Sequence, residues 1–293
     1  MNGDLNGEIT RGTAESRDGT SIGWEQVGTG APLLVLHGGC RAAEHYRAMA
    51  AALAQTNTVV LMDRRGRGNT PAPASSDIET IVDDVACVLA ATGATAVFGH
   101  SAGALFALES AIRYHVDSLI LYEPPLPNDT GIPKGWMSAF ERDVAKGRTA
   151  RAMLRMASGL EMGPPKWIPT GFLAFGAWIS GMTRGANGAE ILGLLRTLPP
   201  EIAAAESCFA SAYSNVGART LLIRGSDSPR YLRDAVDLLR QTIPDSTVLE
   251  LDGQAHNAPD MTAPEAVAGG IRHFLTDRRP LIDTESPCSG IHA

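Results

Sequence analysis

The sequence predicts an α/β chain: a mostly parallel sheet flanked by helices, with an all-helical segment inserted late in its order. Three observations carry this. Short apolar runs, among them PLLVLH, TVVLMD, TAVF, SLILY and TLLIRG, alternate with longer segments of 3.6-residue apolar period. Residues 125 to 216 then break the rhythm, with several helical stretches, no convincing strand and three of the four tryptophans. Finally, 293 residues with 44% hydrophobic content suffice to bury a full core.

In chain order, residues 1–11 and 280–293 are polar, Gly- or Pro-bearing ends without periodicity, and both are expected to be poorly ordered tails. TSIGWEQV and PLLVLH read as strands joined by the turn GTGA. Residues 42 to 53 read as a helix and TVVLMD as the next strand. DIETIVDDVACVLAAT, residues 77–92, is an amphipathic helix with acidic residues in its first turns, where they suit the helix dipole. The TAVF strand, a helix after Ser101 and the strand SLILY at 118–122 follow. TLLIRG and STVLELDG are later strands, each followed by a helical pattern. Such alternation implies crossover connections and a parallel sheet. The expected division is a core of residues 12–124 and 217–279, with residues 125–216 as a helical cap over the carboxyl edge of the sheet, where ligands bind in such folds.

Composition narrows the function classes. A net charge of −7 argues against nucleic acid and anionic membrane surfaces as partners, and the one basic cluster, DRRGRG at 63–68, is too small to reverse it. No apolar run reaches the roughly 18 residues that a membrane span needs. The first residues lack the basic and apolar regions of a signal peptide, so a cytoplasmic location is expected. Cys40, Cys87, Cys208 and Cys288 show no CxxC pairing and no ligand spacing with histidine, which favours free thiols over disulfides or a metal site.

The chemistry centres on VFGHSAGAL, residues 97–105. Ser101 sits where an apolar strand turns directly into a helix, between Gly99 and Gly103. Such a turn strains the serine backbone and exposes its hydroxyl at the sheet edge, while the glycines let neighbouring backbone pass closely. The helix amino terminus also offers unpaired N–H groups to a developing oxyanion. The plainer alternative is a serine that merely caps the helix. Gly-x-Gly in DRRGRG lacks the third glycine of a dinucleotide fingerprint, so nucleotide binding is not expected.

From about residue 13 to 278 the chain resembles the α/β-hydrolase superfamily, in its serine-nucleophile branch with a helical cap. VLHGGC at 35–40 is similar to the family's His-Gly oxyanion loop, which implies that the backbone N–H groups of Gly39 and Ala102 bind the oxyanion. DRRGRGNT at 63–70 resembles the Asp-x-Arg-Gly-x-Gly-x-Ser turn, with Thr70 in place of the serine. DGQAH at 252–256 follows the last strand, where the family carries its catalytic histidine, which implies His256 as the base. His37 and His100 read as structural, His100 holding the elbow turn.

A serine needs a base, and the base needs a carboxylate to hold its tautomer. Two acids compete. The commonest family position lies after TLLIRG, but GSDSP places Asp227 one residue early with Pro229 crowding the turn. Glu123 directly follows SLILY, as the acid does in certain haloalkane dehalogenases and in zearalenone-type lactonases, and two prolines come next. Glu123 is preferred and Asp227 kept as the alternative.

A serine nucleophile disfavours epoxide-hydrolase and dehalogenase chemistry, which use an aspartate, and points to acyl transfer through an acyl-enzyme. No metal or organic cofactor is required. Trp136, Trp167 and Trp178, with Met153, Met156, Met162 and Met182, suit a hydrophobic small-molecule substrate with a polar acyl centre, although such aromatics equally serve as cap core. The expected activity is hydrolysis of a carboxylic ester or lactone. A cofactor-free C–C hydrolase, lyase or cyclase, or a non-catalytic ligand-binding protein on the same fold, are the alternatives. Oligomeric state stays open, a homodimer included.

Overall fold

The computed structural model describes residues 9–72, 77–162 and 188–277. Its strands are β1 (Thr10–Glu15), β2 (Ser21–Val27), β3 (Ala31–Leu36), β4 (Asn57–Met62), β5 (Ala96–His100), β6 (Ser118–Tyr122), β7 (Arg219–Gly225) and β8 (Ser246–Leu251). They form one sheet in the order β1-β2-β4-β3-β5-β6-β7-β8. The β1–β2 and β2–β4 pairs are antiparallel, and β4 onward is parallel.

Parallel strands covered on both faces read as continuous apolar runs rather than alternating ones. Successive side chains nonetheless point to opposite faces. Leu34, Leu36, Val97, Leu119, Leu121 and Leu222 bury on one face, beneath the helices α2 (Ile78–Thr92), α3 (Ala102–Ala111) and α8 (Arg230–Thr242). Leu33, Val35, Phe98, Ile120, Leu221 and Ile223 bury on the other, beneath α1 (Arg47–Leu53) and α9 (Pro264–Thr276). Asp77 starts α2 by accepting the Thr80 N–H at 2.8 Å, and Gly93 ends it in the left-handed conformation, φ 68°.

Two local departures from the sequence reading have physical causes. β1 begins at Thr10, inside the stretch expected to be a tail, and pairs with β2 from Thr10↔Gln26 to Glu15↔Ser21. Ala14 is the one buried residue of TRGTAE, so this edge strand is held by its backbone ladder and carries no apolar signature. The helix expected over 42–53 divides into a 3₁₀ turn, Ala43–Tyr46, followed by α1.

Between β6 and β7 the described residues form α4 (Met137–Ala145), α5 (Thr149–Gly159), α6 (Gly188–Arg196) and α7 (Leu198–Ala205), then a 3₁₀ turn at Ala210–Asn215. Among the described residues this segment holds no strand. It has a small core of its own, in which Phe140, Val144, Met153, Met156, Leu195 and Leu198 pack with Cys40 from the loop after β3. Trp136 joins that core, edge-on to Phe140 with ring centroids 5.3 Å apart. Trp167, Trp178 and Met182 lie outside the described residues.

Candidate active site

Ser101, the first residue past β5, has φ 54° and ψ −122°. A side chain rarely adopts this backbone, and holding it costs on the order of 1–3 kcal/mol. The surroundings impose it. A Cβ on Gly99 would collide with the backbone of Gly103 and Ala104, and one on Gly103 with the carbonyl oxygens of Leu36 and His37. The strand-to-helix turn is therefore tight enough to exclude any side chain at either flanking position. Ser101 N–H donates to the Tyr122 carbonyl at 2.9 Å, tying the turn to the end of β6.

Strain gathers at this edge. Among the described residues, the non-glycine positions with positive φ are Cys40, Ser101, Glu123 and Glu161. The first three each follow a β-strand, and Ser101 and Glu161 line the same cavity. Strained backbone of this kind persists where the fold over-determines it, which is typical of sites rather than of scaffolds.

Glu123 is the first residue past β6, and its N–H donates to the Ile223 carbonyl at 3.1 Å. Its carboxylate is fully buried. Oε1 accepts the Gly225 N–H at 2.8 Å, and Oε2 stands 2.6 Å from Nδ1 of His256. A carboxylate only accepts, so the ring carries a proton on Nδ1, and His256 lines the same cavity as Ser101. Asp227, the alternative acid, is exposed, and its Oδ1 accepts from Ser226 Oγ at 3.2 Å. The short GSDSP turn leaves Asp227 on the cavity rim while Glu123 reaches the histidine from within the sheet.

The loop after β3 faces the elbow. A Cβ on Gly38 would stand 3.4 Å from Ser101 Cβ, and one on Gly39 would stand 4.0 Å from Ala102 Cβ. Gly38 N–H donates to Tyr46 Oη at 3.0 Å. Among the described residues, the Gly39 and Ala102 N–H groups donate to no other backbone carbonyl. They lie on two chain segments that meet beside Ser101.

His100 is buried against Tyr46, Tyr122 and His256. Burial, reinforced by the neighbouring His256, pushes its pKa well below the usual histidine range and keeps the ring neutral. His37 is likewise held neutral by burial and the Arg64 and Arg67 charges. Its Nε2 accepts the Arg64 N–H at 3.3 Å, and its Nδ1 lies 3.0 Å from the Gly38 carbonyl and 3.4 Å from Arg64 Nε.

The cavity measures about 430 Å³. Its walls are mainly apolar, with Leu105, Phe106, Trp136, Met156, Leu160 and Leu198 among them. Sequence reasoning missed its polar fittings. Arg41 Nε and Asp260 Oδ2 lie 2.5 Å apart on the wall, both side chains buried. Glu201 on α7 pairs with Arg64 at 2.9 Å and Arg67 at 2.6 Å, fastening α7 to the turn after β4. Neither Asp260 nor Glu201 belongs to a motif, and only the folded arrangement pairs them with arginines distant in sequence.

Strand order, elbow and buried acid together describe a known family, and the chain belongs to it: the alpha/beta hydrolase family model matches residues 33–269. The chain is 35% identical over 125 residues to the uncharacterized hydrolase YraK of Bacillus subtilis (strain 168), a match covering 40% of this chain and 46% of that protein. The match thus spans about half the length of that curated relative. Among solved structures, an alpha/beta hydrolase from Sphaerobacter thermophilus DSM 20745 is similar with a TM-score of 0.76 and 27% identity, over 90% of this chain and 100% of that one. The esterase RhEst1 from Rhodococcus sp. ECU1013 shares the fold with a TM-score of 0.65 and 23% identity, over 91% of this chain and 98% of that one. Among the described residues no helix is long and apolar enough to cross a membrane.

Proposed function

We propose that the chain is a serine hydrolase that cleaves a carboxylic ester or lactone of a hydrophobic small molecule through an acyl-enzyme. The observation that carries this reading is the buried Glu123 carboxylate 2.6 Å from His256 Nδ1, at the edge of the sheet where Ser101 occupies a strained elbow. A neutral His256 with its proton fixed on Nδ1 accepts the Ser101 hydroxyl proton at Nε2. Ser101 Oγ then bonds to the acyl carbon, and the carbonyl oxygen takes up the negative charge between the Gly39 and Ala102 N–H groups. The imidazolium returns its proton to the leaving alkoxide as the C–O bond breaks. Water follows the same path: His256 takes its proton, its oxygen attacks the acyl carbon, and Ser101 leaves reprotonated.

The mainly apolar walls support a substrate whose bulk is hydrophobic. Helices α4 to α7 serve as the cap over the site, with Trp136 bridging cap core and cavity wall. The test is steady-state turnover of a p-nitrophenyl ester series and a panel of aryl and alkyl lactones, with Ser101→Ala as control. Saturable hydrolysis by the wild type and its loss in the variant are expected. Hydrolysis of equal rate in both proteins would remove Ser101 from the chemistry and overturn the reading.

A further inference from the structure

One buried chain of hydrogen bonds runs between the three segments that carry the proposed chemistry. Gly38 N–H donates to Tyr46 Oη at 3.0 Å. Tyr46 Oη lies 2.5 Å from His100 Nδ1, and His100 Nε2 lies 2.7 Å from the His256 carbonyl oxygen. Tyr46, His100 and His256 are all buried.

The direction of this chain is fixed at its carbonyl end. A peptide N–H only donates and a carbonyl only accepts. The His256 carbonyl therefore takes its hydrogen bond from His100 Nε2–H, and the single proton of the neutral, buried ring sits there. Nδ1 is left with the lone pair and accepts the Tyr46 hydroxyl, whose oxygen in turn accepts from Gly38 N–H. Tyr122, whose hydroxyl donates to the Ala255 carbonyl at 2.8 Å, secures the same loop one residue earlier.

We propose that Tyr46 and His100 are positioning residues, holding the oxyanion loop, the elbow and the histidine loop in one register through this one-way chain. Gly38 precedes the oxyanion donor Gly39, His100 precedes the nucleophile, and the last acceptor is the backbone carbonyl of the base itself. The chain therefore touches each catalytic element next to its working group, and neither Tyr46 nor His100 enters the reaction. Misplacing reacting groups by about 1 Å can cost about 100-fold in rate, so a positioning chain acts on kcat more than on KM. This inference rests on the hydrolase reading for its kinetic consequences, but its protonation pattern does not.

Two measurements test it. In the first, imidazole ¹⁵N spectra of the wild-type protein assign the His100 tautomer. Neutral, Nε2-protonated His100, unchanged between about pH 6 and 8, is expected, and an Nδ1-protonated or charged ring overturns the proposal. In the second, p-nitrophenyl butyrate kinetics are followed in Tyr46→Phe, His100→Ala and His100→Gln. A fall in kcat of about 10- to 100-fold with KM within about threefold is expected for the first two, and His100→Gln, whose amide N–H reaches the same carbonyl, should regain about tenfold over His100→Ala. Unchanged kcat in folded Tyr46→Phe, or no rescue by His100→Gln, overturns it. Where the wild type fails to hydrolyse the ester, the ester reading falls while the tautomer result still decides this one.

Discussion

Glu123 and His256 are 133 residues apart in the chain and 2.6 Å apart in the fold, with the carboxylate completely enclosed. Glu123 follows the strand adjacent to the one that ends at Ser101, so its position follows from β5–β6 pairing rather than from a loop. A buried carboxylate is costly unless hydrogen-bonded. Here both oxygens are used, one by Gly225 and one by His256.

That geometry separates the two acids experimentally. Glu123→Gln keeps the shape but removes the charge that stabilises the imidazolium, and kcat should fall by about a thousandfold or more. Asp227→Asn should cost about tenfold or less, since Asp227 is an exposed rim residue bonded to Ser226. Steady-state kinetics of both variants on one ester decide the matter; equal losses would return the acid to an open question.

Ser101 and His256 should behave as a unit. Each alanine variant is expected to lower kcat by several orders of magnitude, and the double variant to be hardly worse than either. Additive losses in log kcat would mean that the two side chains do not cooperate.

The elbow glycines make a stability prediction that is independent of catalysis. Gly103→Ala drives a methyl into the Leu36 and His37 carbonyls, so the loss should exceed an ordinary surface substitution and reach about 2 kcal/mol or more. Urea denaturation measures it. Gly193→Ala, inside a helix with open space around the added methyl, is the control and should stabilise by about 0.5–1 kcal/mol.

The buried histidines set the acid side of stability. Burial keeps His37, His45 and His100 below the ordinary histidine pKa in the folded state, so the unfolded chain takes up protons that the native one excludes. Stability is therefore complete above about pH 6.5 and falls as pH drops below it, by up to ~1.4 kcal/mol per histidine per pH unit. Unfolding curves at pH 7.5 and 5.5 should show this loss, and His37→Asn should reduce the slope. A pH-independent midpoint would contradict the assignment of neutral rings.

Much of the site was legible because its residues sit at strand ends. The runs TAVF, SLILY and STVLEL locate β5, β6 and β8, and Ser101, Glu123 and His256 each follow one of them. An acid immediately past a core strand is visible as an anomaly in sequence alone. The distance between Glu123 and His256 is not, because it depends on which strands are neighbours. β1 is not legible in the sequence, because an edge strand held by backbone bonds needs no apolar pattern. Tyr46 carries no sequence signal, because it ends an ordinary 3₁₀ turn and its partners His100 and Gly38 come from other segments. Glu201 looks like a solvated helix residue until α7 lays it across Arg64 and Arg67.

The central claim is that Ser101 forms a covalent acyl intermediate, and intact-protein mass spectrometry tests it most directly. Wild-type protein treated with a fluorophosphonate, which captures an activated serine, should gain one adduct per chain, located by peptide mapping to Ser101. Labelling should be abolished in Ser101→Ala and slowed at least tenfold in Glu123→Gln, where the base is no longer supported. An unlabelled wild type, or an adduct that persists in Ser101→Ala, would contradict the account.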